Sequence, residues 1–304
     1  MAELERAFTL HRVDQAVDAE RLVNACADLV RGVVTSPVVG IDRKTIACFP
    51  HLEIVSSVGV GYDSIDLEAC GSRGIIVTNT PDVLNDDVAD MALGLILMTR
   101  RRMVEGHMLV ASGEWQKRLM GLTSGLKGKR VGILGLGRIG MAIAARCEPI
   151  GMVIGYSSRS RKAVPYSFIP DARSLAEWSD ILVVAVPGGA ETLGMVDAAV
   201  LDALGSSGTL INIARGSAVD EAALIDALQS GRISSAGLDV YRSEPDPDPR
   251  LTSLANVTLS PHHASGTVET RNAMAQLVVD NLVAHFEGRS VLTPVPPVPS
   301  VVRP

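Results

Sequence analysis

Residues 129–160 read KRVGILGLGRIGMAIAARCEPIGMVIGYSSRS, and the order of apolar and small residues in them decides the fold. Val131 to Leu134 is a short apolar run of the kind a buried strand needs. It enters Gly135-Leu136-Gly137-Arg138-Ile139-Gly140, passes into a stretch of helical periodicity and emerges as a second apolar run, Met152 to Tyr156. In such a turn the first glycine permits the tight bend and the second lets a pyrophosphate approach the backbone. The third lets helix and strand pack closely, and the helix N-terminus attracts the phosphates. A glycine-rich turn alone is weak, but this one follows a strand, opens a helix and returns to a strand. A dinucleotide site is expected over Gly135 to Gly140.

The end of the second strand bears on which dinucleotide binds. A site for NAD needs a carboxylate about 20 residues beyond the glycines to accept from the ribose 2′-hydroxyl. Here the chain reads Ser157-Ser158-Arg159-Ser160-Arg161-Lys162, with no acid. Hydroxyls and a guanidinium suit a 2′-phosphate, which a carboxylate would repel. NADP(H) is therefore the expected cofactor, with Ser158, Arg159 and Ser160 around the phosphate. The bland alternative is a solvated basic loop.

Working outward, the same rhythm recurs on both sides. Apolar runs at Thr209 to Ile213, Ile181 to Val186, Ser234 to Val240 and Val257 to Leu259 join Arg130 to Leu134 and Met152 to Tyr156 as six strands of a doubly wound sheet. Upstream, strands are expected at Phe8 to Val13, Val30 to Thr35, Leu52 to Ser57 and Ile75 to Thr78, with helices at Ala19 to Ala27, Asp42 to Cys48 and Ser64 to Cys70. That alternation indicates a second α/β layer with a parallel sheet. A long helix, Asn85 to Met103, starts with Asp86, Asp87 and Asp90 and ends in Arg100 to Arg102, matching the helix dipole. Its apolar circumference predicts burial between two domains or across a subunit contact. After a connector from Gly113 to Gly128 and the sheet, the chain ends in a helix, Val268 to Phe286, and a tail with Pro294, Pro296, Pro297 and Pro299.

Composition narrows the function classes. The 304 residues are 47% hydrophobic and 20% charged, as in ordinary globular proteins, and suffice for about two domains of roughly 150 residues. Lys and Arg number 28 against 34 Asp and Glu, a net charge of -6, which argues against neutralising a nucleic-acid backbone. Aromatic content of 3% argues against base-stacking surfaces. Four cysteines without a CxxC pair point to a reducing, cytoplasmic setting with no disulfide framework and no metal site. The N-terminus is charged from its third residue, unlike a signal peptide, and the apolar run Met91 to Met98 is far short of the ~20 residues a membrane helix needs.

Three polar segments follow successive strands: Ile211-Asn212-Ile213-Ala214-Arg215-Gly216, Gly237-Leu238-Asp239-Val240-Tyr241-Arg242-Ser243-Glu244-Pro245 and Ser260-Pro261-His262-His263-Ala264-Ser265-Gly266. Ligands of such sheets bind outside the carboxyl ends of the strands, so Arg215, Glu244 and His262 are expected to converge there. Their chemistry divides naturally. A guanidinium binds a carboxylate bidentately and polarises a ketone, an imidazolium donates a proton, and a carboxylate orients the imidazole. Taken singly, each has an ordinary structural reading as a cap, a surface charge or a polar loop residue.

The set GLGRIG, INIARG, GLDV…EP and PH…SGT resembles the D-isomer-specific 2-hydroxyacid dehydrogenases over nearly the whole chain. Through NTPDVL…DVAD and YSSRS it most resembles the NADPH-dependent glyoxylate/hydroxypyruvate and hydroxyphenylpyruvate reductases. The resemblance implies a flavodoxin-like substrate domain, residues 1–97 with 270–304, and an inserted Rossmann domain, residues 98–269, in a cytoplasmic homodimer. It implies Arg215, Glu244 and His262 as the catalytic set, and the loop Val58-Gly59-Val60-Gly61, with Arg215, as the binder of a small 2-oxo acid. Asp239 resembles the residue that contacts the nicotinamide. Beside the glycine turn and Ser158 to Ser160, the implied cofactor contacts are Val186, Pro187, Thr192, Ile213, Ala214, Arg215, His262 and Ser265.

Three departures from the family pattern stand out. His263 follows His262, so residue type alone leaves two proton donors open, and the position after Pro261 favours His262. Asp90 stands where many relatives carry Glu. Only seven residues precede Phe8, so either the substrate domain lacks its first strand or the true start lies upstream. The expected activity is NADPH-dependent reduction of a 2-oxo acid to the D-2-hydroxy acid, with domains that close on substrate. Two rivals remain at this stage: a dinucleotide-sensing binding protein of the corepressor kind, and an NAD-dependent dehydrogenase.

Overall fold

A computed structural model describes residues 2–296; Pro297 and Pro299 of the expected tail lie outside the described residues. The chain divides into two compact units, Met1–Leu84 with Thr267–Pro304, and Asn85–Gly266.

The first unit runs α1 (Ala2–Ala7), α2 (Ala19–Cys26), β1 (Gly32–Thr35), α3 (Arg43–Ala47), β2 (Ile54–Ser57), α4 (Leu67–Ser72) and β3 (Ile76–Thr78). Among the described residues its sheet has three parallel strands in the order β1-β2-β3. The strand expected at Phe8 to Val13 does not form. Leu4 and Phe8, one helical turn apart, pack with Leu10 into a cluster containing Ile54, Val278, Val279 and Leu282, and the Phe8 ring lies 5.5 Å from that of Phe286. Phe8 and Leu10 are thus half-buried against a hydrophobic cluster while Val13 is exposed, and the segment pairs with no strand.

The second unit opens with α5 (Asn85–Arg100) and α6 (Met103–Ala111). The helix expected to reach Met103 stops at Arg100 because the backbone turns left-handed at Arg102, φ 48°; the Arg100 guanidinium donates to the Ser207 carbonyl at 2.9 Å and to Thr209 Oγ1 at 3.1 Å. Val88, Ala89, Ala92, Leu95 and Ile96 of α5 are covered inside this unit, by strands of its sheet and by the helix that follows the glycine turn, whereas Met91, Leu93, Leu97 and Met98 are half-buried. The sheet uses β4 (Arg130–Leu134), β5 (Val153–Ser157), β6 (Ser167–Phe168), β7 (Ile181–Val184), β8 (Thr209–Asn212), β9 (Ser235–Leu238) and β10 (Val257–Leu259). Between them lie α7 (Arg138–Cys147), α8 (Ala172–Trp178), α9 (Ala198–Leu204), α10 (Glu221–Gln229) and the short α11 (Pro249–Thr252).

All seven strands are parallel, in the order β10-β9-β8-β7-β4-β5-β6. Winding reverses between β4 and β7, which is where a doubly wound sheet leaves a crevice for a ligand. The edge strand β6 was not expected; two residues carry no readable period. The buried strands are continuous apolar runs such as Ile181-Leu182-Val183-Val184, as a sheet covered on both faces requires.

The chain then returns to the first unit as α12 (Val268–Phe286), the helix expected from Val268 to Phe286. Thr267 caps it by accepting from Thr270 N–H, and Val278, Val279 and Leu282 cover Ile54. Each such side chain contributes about 1.5–3 kcal/mol when fully buried. Beyond it, Val295 N–H donates to the Val77 carbonyl, adding a short antiparallel contact beside β3. Much of the acidic surplus has a local use. Asp18, Asp42, Asp66, Asp171, Asp197 and Asp220 each accept the backbone N–H three residues on and cap a helix, at about 1 kcal/mol apiece. The four cysteines are free thiols, three of them buried.

Candidate active site

Because the seven strands run the same way, the residues that follow them share one edge of the second unit. Gly135 follows β4, Ser158 follows β5, Val186 and Pro187 follow β7, Ile213 to Arg215 follow β8, Asp239 follows β9 and His262 follows β10.

The turn after β4 fits a dinucleotide. Gly135 has φ 102°, and a Cβ there would lie 2.6 Å from the Ala185 carbonyl oxygen. A Cβ on Gly140 would sit 2.2 Å from the Gly135 oxygen, so the third glycine sets the closeness of helix and turn. Gly137 is different: a Cβ there would meet nothing within 4 Å, leaving an open face at the start of α7 where a pyrophosphate can approach the backbone. Leu136 is buried, whereas Arg138 lies in the first helical turn. After β5, Ser158 Oγ donates to the Ser160 carbonyl at 2.7 Å, and Arg159 and Ser160 are exposed. Thr192 is buried, its hydroxyl donating to the Pro187 carbonyl at 2.7 Å, so it shapes the turn after β7.

Asn212, buried at the end of β8, moulds the turn that carries Arg215. Its side-chain oxygen accepts from Ala214 N–H at 3.1 Å and its amide donates to the Arg215 carbonyl at 2.9 Å. The Arg215 guanidinium is half-buried and donates to the Ala214 carbonyl at 2.8 Å. Glu244 comes from the loop after β9. One of its oxygens accepts from Tyr241 N–H at 2.9 Å, and the other lies 2.6 Å from His262 Nδ1. Burial alone would raise the Glu244 carboxyl. The hydrogen bond with His262, the Tyr241 N–H and the Arg215 charge outweigh it, and the carboxyl sits below its ordinary value. The Tyr241 hydroxyl, pushed up to about 12 by burial, donates to the Ser260 carbonyl at 2.7 Å and ties the two loops together.

Asp239 is fully buried, and its oxygens face the turn that bears the histidines. They accept from Ser260 Oγ at 2.6 Å, His263 N–H at 2.8 Å and Ala264 N–H at 2.9 Å. This carboxylate holds His262 in a left-handed conformation, φ 50°, that few residues other than glycine adopt. Sequence reasoning gave Asp239 a cofactor contact and missed this buttress, which joins positions more than twenty residues apart. His263 points differently, its ring lying over Gly266, where a Cβ would be 2.3 Å from ring atoms. Ser265 is half-buried in the same turn.

In the first unit, Val58 to Gly61 follow β2. Val58 N–H donates to Thr35 and Gly59 N–H to Ser57, which leaves Val60 and Gly61 as the candidate donors of this loop. The loop is braced by Thr80 N–H on the Gly59 carbonyl and by Asn79 Nδ2 on the Val60 carbonyl, at 2.9 and 2.8 Å. Among the described residues no group of acidic, histidine or cysteine side chains could hold a metal ion, and no helix is long and apolar enough to cross a membrane.

Comparison with known proteins agrees with this geometry. Residues 93–264 match the model of the D-isomer specific 2-hydroxyacid dehydrogenase NAD binding domain. Glyoxylate/hydroxypyruvate reductase A HPR2 of Arabidopsis thaliana is 51% identical over 294 residues, 96% of this chain and 94% of the relative. Hydroxyphenylpyruvate reductase of Plectranthus scutellarioides is 49% identical over the same length, again 96% and 94%. Among solved structures, the NADPH-dependent glyoxylate/hydroxypyruvate reductase of Sinorhizobium meliloti, in complex with NADP and malonate, superposes with a TM-score of 0.87 at 45% identity, covering 96% of this chain and 90% of that one. The glycine turn, the parallel sheet and these likenesses together place the chain in the D-isomer specific 2-hydroxyacid dehydrogenases, oxidoreductases with a nicotinamide-dinucleotide domain.

Proposed function

We propose that this enzyme reduces glyoxylate, hydroxypyruvate or a similar 2-oxo acid to the D-2-hydroxy acid with NADPH. The observation that carries the reading is the Glu244–His262 pair, 2.6 Å apart, on the same sheet edge as Arg215 and the glycine turn. Relatives named for these reductions, at about half identity over nearly the full length, support it.

The chain's own groups then divide the work. With Nδ1 engaged by Glu244, the Nε2 of His262 is the nitrogen left for a substrate, and it donates a proton to the carbonyl oxygen. The Glu244 carboxylate fixes the orientation of the ring through Nδ1. Arg215 binds the substrate carboxylate and draws electron density from the ketone. When bound, the reduced nicotinamide supplies the hydride to the carbonyl carbon. Gly135 to Gly140 hold the pyrophosphate, Ser158, Arg159 and Ser160 take the 2′-phosphate, and Val186, Pro187, Thr192, Ile213, Ala214, Asp239 and Ser265 border the remainder.

The absence of an acid after β5, and the NADPH-dependent relative named above, support NADPH over NADH. A homodimer is part of the proposal. Met103, Val104, Met108 and Val110 of α6, with Trp115, Leu119 and Leu122 after it, are exposed apolar side chains of the second unit that a second copy would cover. Free, mostly buried thiols are consistent with a cytoplasmic setting.

The deciding experiment is a panel of glyoxylate, hydroxypyruvate, pyruvate and 4-hydroxyphenylpyruvate, each followed by loss of reduced-nicotinamide absorbance with NADPH and with NADH. Turnover of one or more acids, faster with NADPH, is expected. Cofactor binding without turnover of any 2-oxo acid would instead mark a binding protein on this fold.

A further inference from the structure

We infer that Tyr156 is a positioning residue for cofactor choice: its hydroxyl closes the loop 157–162 into the shape that presents Ser158 and Arg159 to the ribose end of the dinucleotide. The inference rests on the NADPH reading above and names the device behind it.

Tyr156 is the fourth residue of β5 and is completely buried, its ring tilted against that of Phe168 in β6 at 5.5 Å. A phenol hydroxyl in such a core needs partners. It finds both in one residue. It accepts from Lys162 N–H at 2.8 Å and donates to the Lys162 carbonyl oxygen at 3.3 Å. The chain therefore leaves β5 at Ser157 and comes back to the preceding side chain at Lys162. Ser158 Oγ on the Ser160 carbonyl makes a second closure inside the first.

The charges of this loop work against its closure. Arg159, Arg161 and Lys162 are all exposed, so three like charges within four residues repel one another and favour an open chain. A loop that must be ordered as the ligand arrives loses affinity relative to one already ordered. NADPH differs from NADH only at the 2′-phosphate, which is the group this loop meets. The pyrophosphate turn after β4 serves both cofactors and does not depend on Lys162. Loosening the loop is thus predicted to weaken NADPH selectively.

The test uses the full chain and three variants, with dissociation constants for NADPH and NADH from nicotinamide fluorescence. Tyr156→Phe keeps the ring and removes the hydroxyl. Its NADPH constant is expected to rise about three- to tenfold while the NADH constant moves less than about twofold, on the scale of one neutral hydrogen bond. Amide hydrogen exchange across 157–162 should quicken in the same variant. Lys162→Pro removes the donor from the exposed side without touching the core and should reproduce the shift; Lys162→Ala keeps the N–H and should not. A wild type that prefers NADPH, with the ratio of constants unchanged in Tyr156→Phe and Lys162→Pro, overturns the anchoring role alone. Equal shifts in Lys162→Ala and Lys162→Pro also overturn it, by assigning the effect to charge. A wild type that binds both cofactors equally overturns the NADPH reading itself, and the inference with it.

Discussion

His262 meets Glu244 through Nδ1, 2.6 Å from Oε2, and does so from a backbone bent into the left-handed region by the carboxylate of Asp239. Two acids therefore act on one imidazole, one on its ring and one on its peptide. The ring nitrogen left over, Nε2, is the proton donor in the proposed reaction.

Replacing that ring is the most direct check. His262→Ala is expected to lower kcat by about 10²–10⁴, the scale of a lost general acid, with NADPH affinity little changed. His263→Ala should leave kcat within about twofold, since its ring lies over Gly266 and it is tied to Asp239 only through its backbone. The reverse ranking in steady-state assays would transfer the proton donor to His263.

Glu244→Gln separates charge from shape. The amide can still meet Nδ1 but brings no charge to the pair, so kcat should fall while KM for the 2-oxo acid moves little. Stability carries the pH dependence. The Glu244 carboxyl lies below its ordinary 4.5, so its contribution is complete above that value and is lost as pH falls through the folded-state value. Melting temperatures from neutral pH into acid should therefore decline less steeply in Glu244→Gln. Parallel curves would show that the pair adds nothing to folding.

Arg159→Ala addresses the 2′-phosphate. Loss of a charge-assisted contact of about 1.5–3 kcal/mol should lower the NADPH preference roughly ten- to a hundredfold, leaving the NADH constants near those of the wild type. An equal loss for both cofactors would assign Arg159 to general attraction instead.

Asp239→Asn puts an amide where three donors converge, so at least one N–H or hydroxyl loses its acceptor. The cost is expected at about 1–3 kcal/mol in denaturant unfolding. Because the affected turn carries His262, kcat should drop more than KM rises. Full activity with unchanged stability would mean that the turn holds itself.

The elements legible in the sequence are those with a strong period or a defined boundary. The helix Val268 to Phe286 has the expected bounds, and the apolar run expected as a strand from Ile181 to Val186 holds the strand Ile181–Val184. Phe8 to Val13 misled because apolar residues at 8 and 10 suit a strand and a hydrophobic cluster equally; only Phe286, far along the chain, decides between them. The end of α5 was equally hidden, since the left-handed turn at Arg102 falls on a residue that carries no helix-stop signal. At the site, residue types and strand order marked Arg215, Glu244 and His262. The buttress role of Asp239 needed hydrogen bonds across more than twenty positions, and no local pattern records those.

The return of α12 to the first unit has a consequence for synthesis. Ile54 is made early, but Val278, Val279 and Leu282, which cover it, leave the ribosome only after all of Asn85–Gly266. The contiguous unit can complete its sheet while its host still exposes an oily β2 face, so the nascent chain is most vulnerable to aggregation in that interval. Truncation within α12 should accordingly spare the dinucleotide-binding half and leave the other one unfinished.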